Sequence, residues 1–192
     1  MGAGVIPFAV HQKQVHFLFQ TVFRGRKMGH YIDFGGGINI GETHQQAAAR
    51  EFVEETETLF LSKDREELKI AQKTPERVAQ QLPLMTQLFQ QTLQQYPHWW
   101  CQREPGNKIP PKDWKSFFIE VEYQDLNSIN QVWEEDEGLW LRFSKRRELH
   151  WIDADSLLSI YQYHPDKLWK RVRQLINAQA LIQEIKEEKL KA

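Results

Sequence analysis

The residues best suited to chemistry lie in a stretch that begins at a run of glycines. Three glycines at 35–37 lead into a segment rich in helix-forming residues, in which Glu51, Glu54 and Glu55 are spaced i, i+3 and i+4. At 3.6 residues per turn these three carboxylates project from one face of a helix. Like charges so spaced repel one another, so the pattern predicts a cation among them. Carboxylate oxygens with no Cys or paired His nearby suit Mg²⁺, with Mn²⁺ as the alternative.

The regular spacing extends beyond the three carboxylates. Glu42 follows Gly36 after five residues, and Arg50 follows Glu42 after seven. The alternative interpretation is a solvated acidic helix face, the usual explanation of a run of charges. That alternative gives no reason for the glycines or for the distances to Glu42 and Arg50. The sequence therefore favours a functional site.

Hydrophobic patterning predicts the elements that must position this site. Strands are expected at 4–10 and 15–23, and a short strand at 31–34 runs into the glycines at 35–37, which no strand or helix interior would favour. A helix is expected from Thr43, a suitable N-cap, through Glu55. Further strands are predicted at 117–123, 139–143 and 150–152, and further helices from 75, from about 156 and from 169 through the charged tail. This mixture without strict alternation predicts an α/β (α+β) layered domain.

The stretch from Gly36 to Thr58 resembles the Nudix box, whose pattern is Gly-x5-Glu-x7-Arg-Glu-aliphatic-x-Glu-Glu-x-Gly-aliphatic. Every catalytic position of that pattern is filled here. Glu57 stands where the family has Gly, and Thr58 stands where it has an aliphatic residue; these two places close the helix in the family. The resemblance implies a single Nudix domain over 1–192. Its expected fold is an α/β/α sandwich with a mixed β-sheet, carrying a largely helical insertion at 61–114.

The resemblance also implies a reaction and a metal site. Nudix hydrolases cleave a nucleoside diphosphate linked to another group, by attack of water on phosphorus with the help of a divalent metal. By similarity, Glu51, Glu54 and Glu55 hold the metal and act in catalysis, and the carbonyl of Gly35 is a further ligand. The general base is one of these three or a glutamate elsewhere. Four downstream glutamates remain open as an additional ligand or base: Glu134, Glu135, Glu137 and Glu148.

Other residues are implied to support the substrate. Arg50 is expected to orient a glutamate through charge-assisted hydrogen bonds, and Gly36 to shape the turn against which the substrate binds. Arg24, at the end of the second strand, lies where the family often places a phosphate-binding arginine; an ordinary basic surface loop is the alternative. Glu42 either completes the metal shell or braces the loop. A Nudix-fold module that senses a nucleotide or nucleotide-sugar without turnover is the alternative to an enzyme.

Composition excludes several other classes of function. With 25 basic and 26 acidic residues, the net charge of -1 argues against binding DNA or an anionic membrane by bulk charge. A single cysteine, Cys101, permits no intrachain disulfide and suits a reducing compartment. Neither a secretory signal nor a membrane span is apparent. We therefore expect a cytoplasmic protein, a monomer or homodimer, with a small nucleotide derivative as its substrate.

The region outside the family pattern carries two further predictions. Apolar residues at 78, 82, 85, 89 and 93 form one helical stripe, which we expect to pack on the chain's own domain; a second copy of the chain is the alternative. Trp99 and Trp100 are expected to pin the insertion to the domain, with stacking on a nucleobase as the alternative. Finally, the basic run at 145–147 is predicted to be a solvated turn.

Overall fold

The computed structural model describes residues 1–56, 75–107, 113–127, 129–131 and 147–191. The strands in this part of the chain are β1 (Gly2–His11), β2 (Gln14–Val22), β3 (Phe34–Gly37), β4 (Trp100–Gln102), β5 (Trp114–Glu120) and β6 (Arg147–Asp153). The helices are α1 (His44–Thr56), α2 (Pro75–Gln95), α3 (Ala154–Tyr163), α4 (Lys170–Arg173) and α5 (Ala178–Leu190). A short 3-10 turn spans Pro165–Lys167.

The central strand of the sheet is β1, which has three partners. On one side β1 runs parallel to β5. On its other side, the first half of β1 pairs antiparallel with β3 and the second half with β2. Strand β2 continues beyond this pairing and runs antiparallel to β6, while β4 extends the sheet beyond β5. The sheet is therefore mixed, with the order β4-β5-β1-β2-β6.

Helices cover both faces of the sheet. On one face α1 and α2 enclose a core that includes Phe34, Phe52 and Phe89. On the other face α3, α4 and α5 enclose a second core around Phe17 and Phe118. The predicted α/β (α+β) sandwich with a mixed sheet is confirmed.

The glycine run is a strand, so its exclusion from strands was wrong. Gly35 lies opposite Gly4 in the ladder between β3 and β1. A Cβ at Gly35 would lie 2.4 Å from the carbonyl oxygen of Ala3 and 2.5 Å from the Cα of Gly4. The two backbones approach too closely for a side chain, and glycine on both strands permits the pairing.

The predicted last helix is two helices. α4 ends at Arg173 and α5 begins at Ala178, and between them Asn177 has a left-handed backbone with φ 61°. Asparagine tolerates this conformation better than most residues, and it interrupts the helix. The amide of Ile176 donates instead to the carbonyl of Gln102 at 2.8 Å, which joins this break to β4.

The described part of the expected insertion is integrated into both cores. Met85 and Phe89 of α2 are buried against the core that α1 also lines, so the apolar stripe packs on the chain's own domain. On the other face Trp99 is fully buried, and its ring stacks on that of Tyr96 with the ring centroids 3.6 Å apart. Its Nε1 donates a hydrogen bond to the carboxylate of Glu184. Trp99 is therefore an anchor, as predicted, whereas Trp100 is 37% exposed and is not buried in the core.

Some predictions fall outside the described residues. These are the strand at 139–143, the end of the box helix at Glu57 and Thr58, and the candidates Glu134, Glu135 and Glu137. Among the helices that the structure describes, none is long and apolar enough to cross a membrane.

Candidate active site

The box helix α1 starts where the sequence predicts. The hydroxyl of Thr43 accepts a hydrogen bond from the amide of Gln46, and the Gln46 side chain accepts one from the amide of Thr43. This reciprocal capping box satisfies two amides that the first turn leaves without partners. The three alanines at 47–49 are buried, so α1 lies close against the sheet.

Arg50 joins the acidic residues of the box. Its Nε and Nη2 donate to the two carboxylate oxygens of Glu42 at 2.7 and 3.1 Å. Its Nη1 donates to Glu51 at 2.8 Å and to Glu54 at 3.2 Å, and Nη2 also reaches the carbonyl of Gly37 at 2.8 Å. These hydrogen bonds lower the pKa of Glu42 and raise the pKa of Arg50 from their ordinary values. Arg50 thus offsets the repulsion that the acidic spacing creates.

Two glycines of β3 touch two of the box carboxylates. A Cβ at Gly36 would lie 2.3 Å from Oε1 of Glu51, so the absence of a side chain lets that carboxylate rest on the strand. The amide of Gly35 donates to Oε2 of Glu55 at 2.7 Å. Residues separated by up to 20 positions in the sequence therefore meet where β3 faces α1.

Glu55 has two further partners that sequence reasoning missed. Gln20 on β2 donates from Nε2 to Oε2 of Glu55 at 2.9 Å. Arg147, the first residue of β6, donates from Nη1 to the backbone carbonyl of Glu55 at 2.8 Å, and its Nη2 lies 3.6 Å from Oε1. Arg147 is buried, so its assignment to a solvated turn was wrong. Gln20 could have been noticed as the one amide side chain in the largely apolar strand 15–22. Arg147 could have been noticed because it begins a segment, 147–153, in which side chains alternate between the two faces of a strand.

A buried ion pair lies beneath the glycine strand, and it was also missed. Asp33, which precedes β3, is fully buried; its carboxylate pairs with Nε of Arg171, and its carbonyl accepts from Nη2 at 2.9 Å. The Arg171 guanidinium lies 4.4 Å from the ring centroid of Trp114. Burial raises the pKa of Asp33, and the charge of Arg171 opposes that rise. This pair fixes the segment from which the glycines extend.

The carboxylates suit a hard divalent cation in their chemistry. The side chains of Glu51, Glu54 and Glu55 are only 15–16% exposed, and carboxylate oxygens are preferred ligands of Mg²⁺. Within the described ranges, however, no three acidic, His or Cys side chains form a ready metal-binding group. Arg50 lies between two of the three carboxylates instead. The donor set fits Mg²⁺ or Mn²⁺ in its chemistry alone, because all three side chains are carboxylates.

Of the other predicted residues, those that the structure describes are not brought to the carboxylates. Arg24 is exposed in the loop after β2 and has no hydrogen bond or ion pair with a described residue. Glu148 follows Arg147 on β6, so strand alternation turns it to the opposite face, where it lies 3.9 Å from Nε2 of His150. Burial raises the pKa of the Cys101 thiol to about 12, which makes it a poor nucleophile.

The sequence of the chain is similar to a known protein over only part of its length. No protein-family model matches the chain. An uncharacterised protein of Acanthamoeba polyphaga mimivirus is 43% identical over 61 residues, which are 30% of this chain and 20% of that protein. This chain thus matches only a fifth of that relative's length.

The solved structures that the chain resembles include Nudix hydrolases. An Ap4A hydrolase of C. elegans in a binary complex is 14% identical at a TM-score of 0.46, with 100% of both chains covered. A Nudix hydrolase from Alicyclobacillus acidocaldarius is 12% identical at a TM-score of 0.47, with 100% of this chain and 95% of that one covered. RenU, a Nudix hydrolase of M. smegmatis, is 15% identical at a TM-score of 0.41, with 99% of this chain and 86% of that one covered.

Proposed function

We propose that the chain is a Nudix hydrolase that cleaves a phosphoanhydride bond in a nucleoside diphosphate linked to another group, by attack of water on phosphorus. The observation that carries this proposal is the meeting of β3 with α1. Gly36 makes room for the carboxylate of Glu51, and Gly35 donates its amide to Glu55. The spacing of the box thus corresponds to contacts in space, which a solvated acidic helix face would not require.

In the proposed site, Glu51, Glu54 and Glu55 hold Mg²⁺ or Mn²⁺ together with the carbonyl of Gly35. A bound divalent ion neutralises phosphate oxygens and lowers the pKa of a bound water. Arg50 holds the side chains of Glu51 and Glu54 over the strand and limits their rotation into solvent. Because both are partly buried, these ion pairs are stronger than exposed ones.

Substrate recognition in this proposal comes from a local site. Gly36 shapes the strand beside the substrate, and Arg24 binds a phosphate from the loop after β2. The nearly neutral chain supports a small nucleotide derivative as substrate in preference to DNA or a membrane surface. A cytoplasmic monomer or homodimer remains our proposal.

A binding module without turnover is the second candidate. One observation favours it: Nη1 of Arg50 lies between the carboxylates of Glu51 and Glu54 and donates to both. In such a module Arg50 would remain in place, and the nucleotide would bind without hydrolysis.

A substrate panel separates these candidates. The purified chain is incubated with ADP-ribose, a dinucleoside polyphosphate, a nucleoside triphosphate or a triphosphorylated RNA, each with Mg²⁺, with Mn²⁺ or with excess EDTA. Release of phosphate, pyrophosphate or nucleoside monophosphate is measured, and binding is followed by calorimetry. Metal-dependent release supports the hydrolase, whereas binding without product supports the module. If the chain neither bound nor hydrolysed any of these substrates, both candidates would be contradicted.

A further inference from the structure

Two residues outside the box, Gln20 and Arg147, contact the same carboxylate. Gln20 reaches Glu55 because a backbone bridge to Ile32 brings this part of β2 beside the start of β3. Arg147 reaches it from β6, on the far side of β2. Building on the proposed function, we propose that Gln20 and Arg147 are positioning residues that fix the carboxylate of Glu55 as a metal ligand.

Glu55 is held differently from the other two box carboxylates. Glu51 and Glu54 share Nη1 of Arg50, which lies on their own helix, and this group meets the sheet at β3, through Gly36 and Gly37. Glu55 is instead fastened to three strands of the sheet, through the amide of Gly35, the amide group of Gln20 and the guanidinium of Arg147. The sheet therefore sets the orientation of Glu55.

Each of the two positioning side chains has a buried polar atom that lowers the stability of the fold. Oε1 of Gln20 and Nε of Arg147 are buried and have no hydrogen-bond partner among the described residues. A buried polar atom without a partner has lost its hydrogen bonds to water and gained none in return, which destabilises the folded state. An apolar side chain of similar length would avoid that penalty at either position. Stability alone does not explain these residue types, whereas their contacts with Glu55 do.

The surroundings of Gln20 allow a positioning role to be distinguished from a structural one. Its Nε2 donates to two acceptors, Oε2 of Glu55 and the carbonyl of Asp33. Each acceptor has another donor, since Gly35 serves Glu55 and Arg171 serves Asp33. Gln20→Met therefore leaves neither acceptor unpaired and removes one buried unpaired oxygen. Its stability should equal or exceed that of the wild type, although Glu55 loses one of its holds.

Arg147 permits a graded test of the same idea. Its guanidinium fork reaches both the backbone carbonyl and the carboxylate of Glu55. Arg147→Met removes the charge and both contacts. Arg147→Lys keeps the charge but replaces the planar fork with a single ammonium group, so it should restore only part of the effect.

The experiment compares these three variants with the wild type in the full chain. Mn²⁺ affinity is measured from the electron paramagnetic resonance of free Mn²⁺, thermal unfolding is measured without metal, and kcat and KM are measured on the best substrate of the panel. Two matched controls are Thr21→Val, which removes a hydrogen bond to His150 from the next residue of β2, and Arg103→Met, which removes contacts to Gln174.

For Gln20→Met and Arg147→Met we expect Mn²⁺ affinity and kcat to fall by about ten- to a hundredfold, the usual effect of losing a partner of a metal ligand. KM should change little, and Gln20→Met should melt no lower than the wild type. Arg147→Lys should lie between Arg147→Met and the wild type. Both controls should keep the wild-type affinity for Mn²⁺.

The inference would be overturned if a folded Gln20→Met protein kept the wild-type Mn²⁺ affinity and kcat. It would also be overturned if the control Thr21→Val lost as much Mn²⁺ affinity and kcat as Gln20→Met. These outcomes differ from failure of the proposed function. A wild-type chain that neither binds Mn²⁺ nor hydrolyses any substrate removes both proposals together. If the wild type is active and the variants at Gln20 and Arg147 have wild-type Mn²⁺ affinity and kcat, only the proposed positioning role is removed.

Discussion

The carboxylate of Glu51 rests directly on the backbone of Gly36, at a separation that leaves no space for a Cβ. Helix α1 and strand β3 are therefore spaced by a contact between a charged side chain and a bare backbone. The neighbouring glycines have different surroundings. A Cβ at Gly35 would strike the backbone of β1, whereas one at Gly37 would have nothing within 4 Å.

Three consecutive alanine substitutions should therefore give three different results. Gly35→Ala should destabilise the fold by about 1–3 kcal/mol or more, because rigid backbone cannot yield to the new methyl group. Gly36→Ala should leave the fold nearly intact but displace Glu51, which lowers activity and Mn²⁺ affinity. Gly37→Ala should be neutral in both respects. Urea unfolding and Mn²⁺ binding of the three variants check this order, and equal behaviour at 36 and 37 would contradict it.

Activity should depend on the box carboxylates and on divalent metal. Glu54→Gln or Glu55→Gln should lower the rate on the order of a thousandfold while the fold persists, because each removes one of the charged ligands that we propose for the metal. Mg²⁺ should also raise the melting temperature of the wild type more than that of the variants. Glu76→Gln, at an exposed position of α2, is the control. Wild-type turnover in excess EDTA would refute the prediction.

The ion pair between Glu42 and Arg50 should make stability depend on pH. Hydrogen bonds from Arg50 lower the pKa of Glu42 below its ordinary value of 4.5. A carboxylate with a lowered folded-state pKa contributes stability that is present above the unfolded-state pKa and lost as pH falls through the folded-state pKa. Glu42→Gln should therefore lower the free energy of unfolding at pH 7 by about 1–3 kcal/mol.

The difference between Glu42→Gln and the wild type should shrink as pH falls below 4.5. Denaturant unfolding at a series of pH values measures it. Glu122→Gln, at an exposed site, should follow the wild-type curve throughout. A difference that stayed constant down to the acid limit would show that Glu42 contributes through packing and not through its charge.

Helix α2 should behave as part of the core. Phe89→Ala should reduce the free energy of unfolding by about 3–5 kcal/mol, since Phe89 is fully buried against the core that α1 lines. Leu84→Ala, on the same helix but 52% exposed, should change it by less than about 0.5 kcal/mol. Similar values for both would mean that α2 does not dock as described.

A single variant tests Arg24, the phosphate contact that we propose in the loop after β2. Arg24→Ala should lower kcat/KM on the best substrate without changing Mn²⁺ affinity, because the exposed side chain has no described contact with the box. Lys13→Ala, on the exposed turn between β1 and β2, serves as a control for loss of surface charge. An unchanged kcat/KM would assign Arg24 to the surface.

The box helix could be predicted because its determinants are local. Thr43 caps it, the alanines at 47–49 suit close packing, and the carboxylates share a face through helical geometry alone. The glycine strand could not be predicted in the same way. Gly35 taken alone indicates a turn, and only its pairing with Gly4 on β1 makes it part of a sheet.

The residues that sequence reasoning missed are those joined over long separations. Gln20 meets Glu55 across 35 positions and Arg147 meets it across 92. No periodicity links such pairs, because their proximity follows from the strand order. The break at Asn177 is a different case, since the apolar pattern of the flanking segments continues across it and only the backbone conformation shows the interruption.

The placement of β1 has a consequence for how the protein acquires its structure during synthesis. This strand is synthesised before β5, its parallel partner, which follows only after α1 and α2 have been made. Asp33 must wait longer still, since Arg171 lies 138 residues further along. Folding dominated by such distant contacts is slow, and unpaired strands are prone to aggregate while they wait. We therefore expect nascent chains ending before β5 to need chaperones, and the glycine strand to be secured only once α4 has been translated.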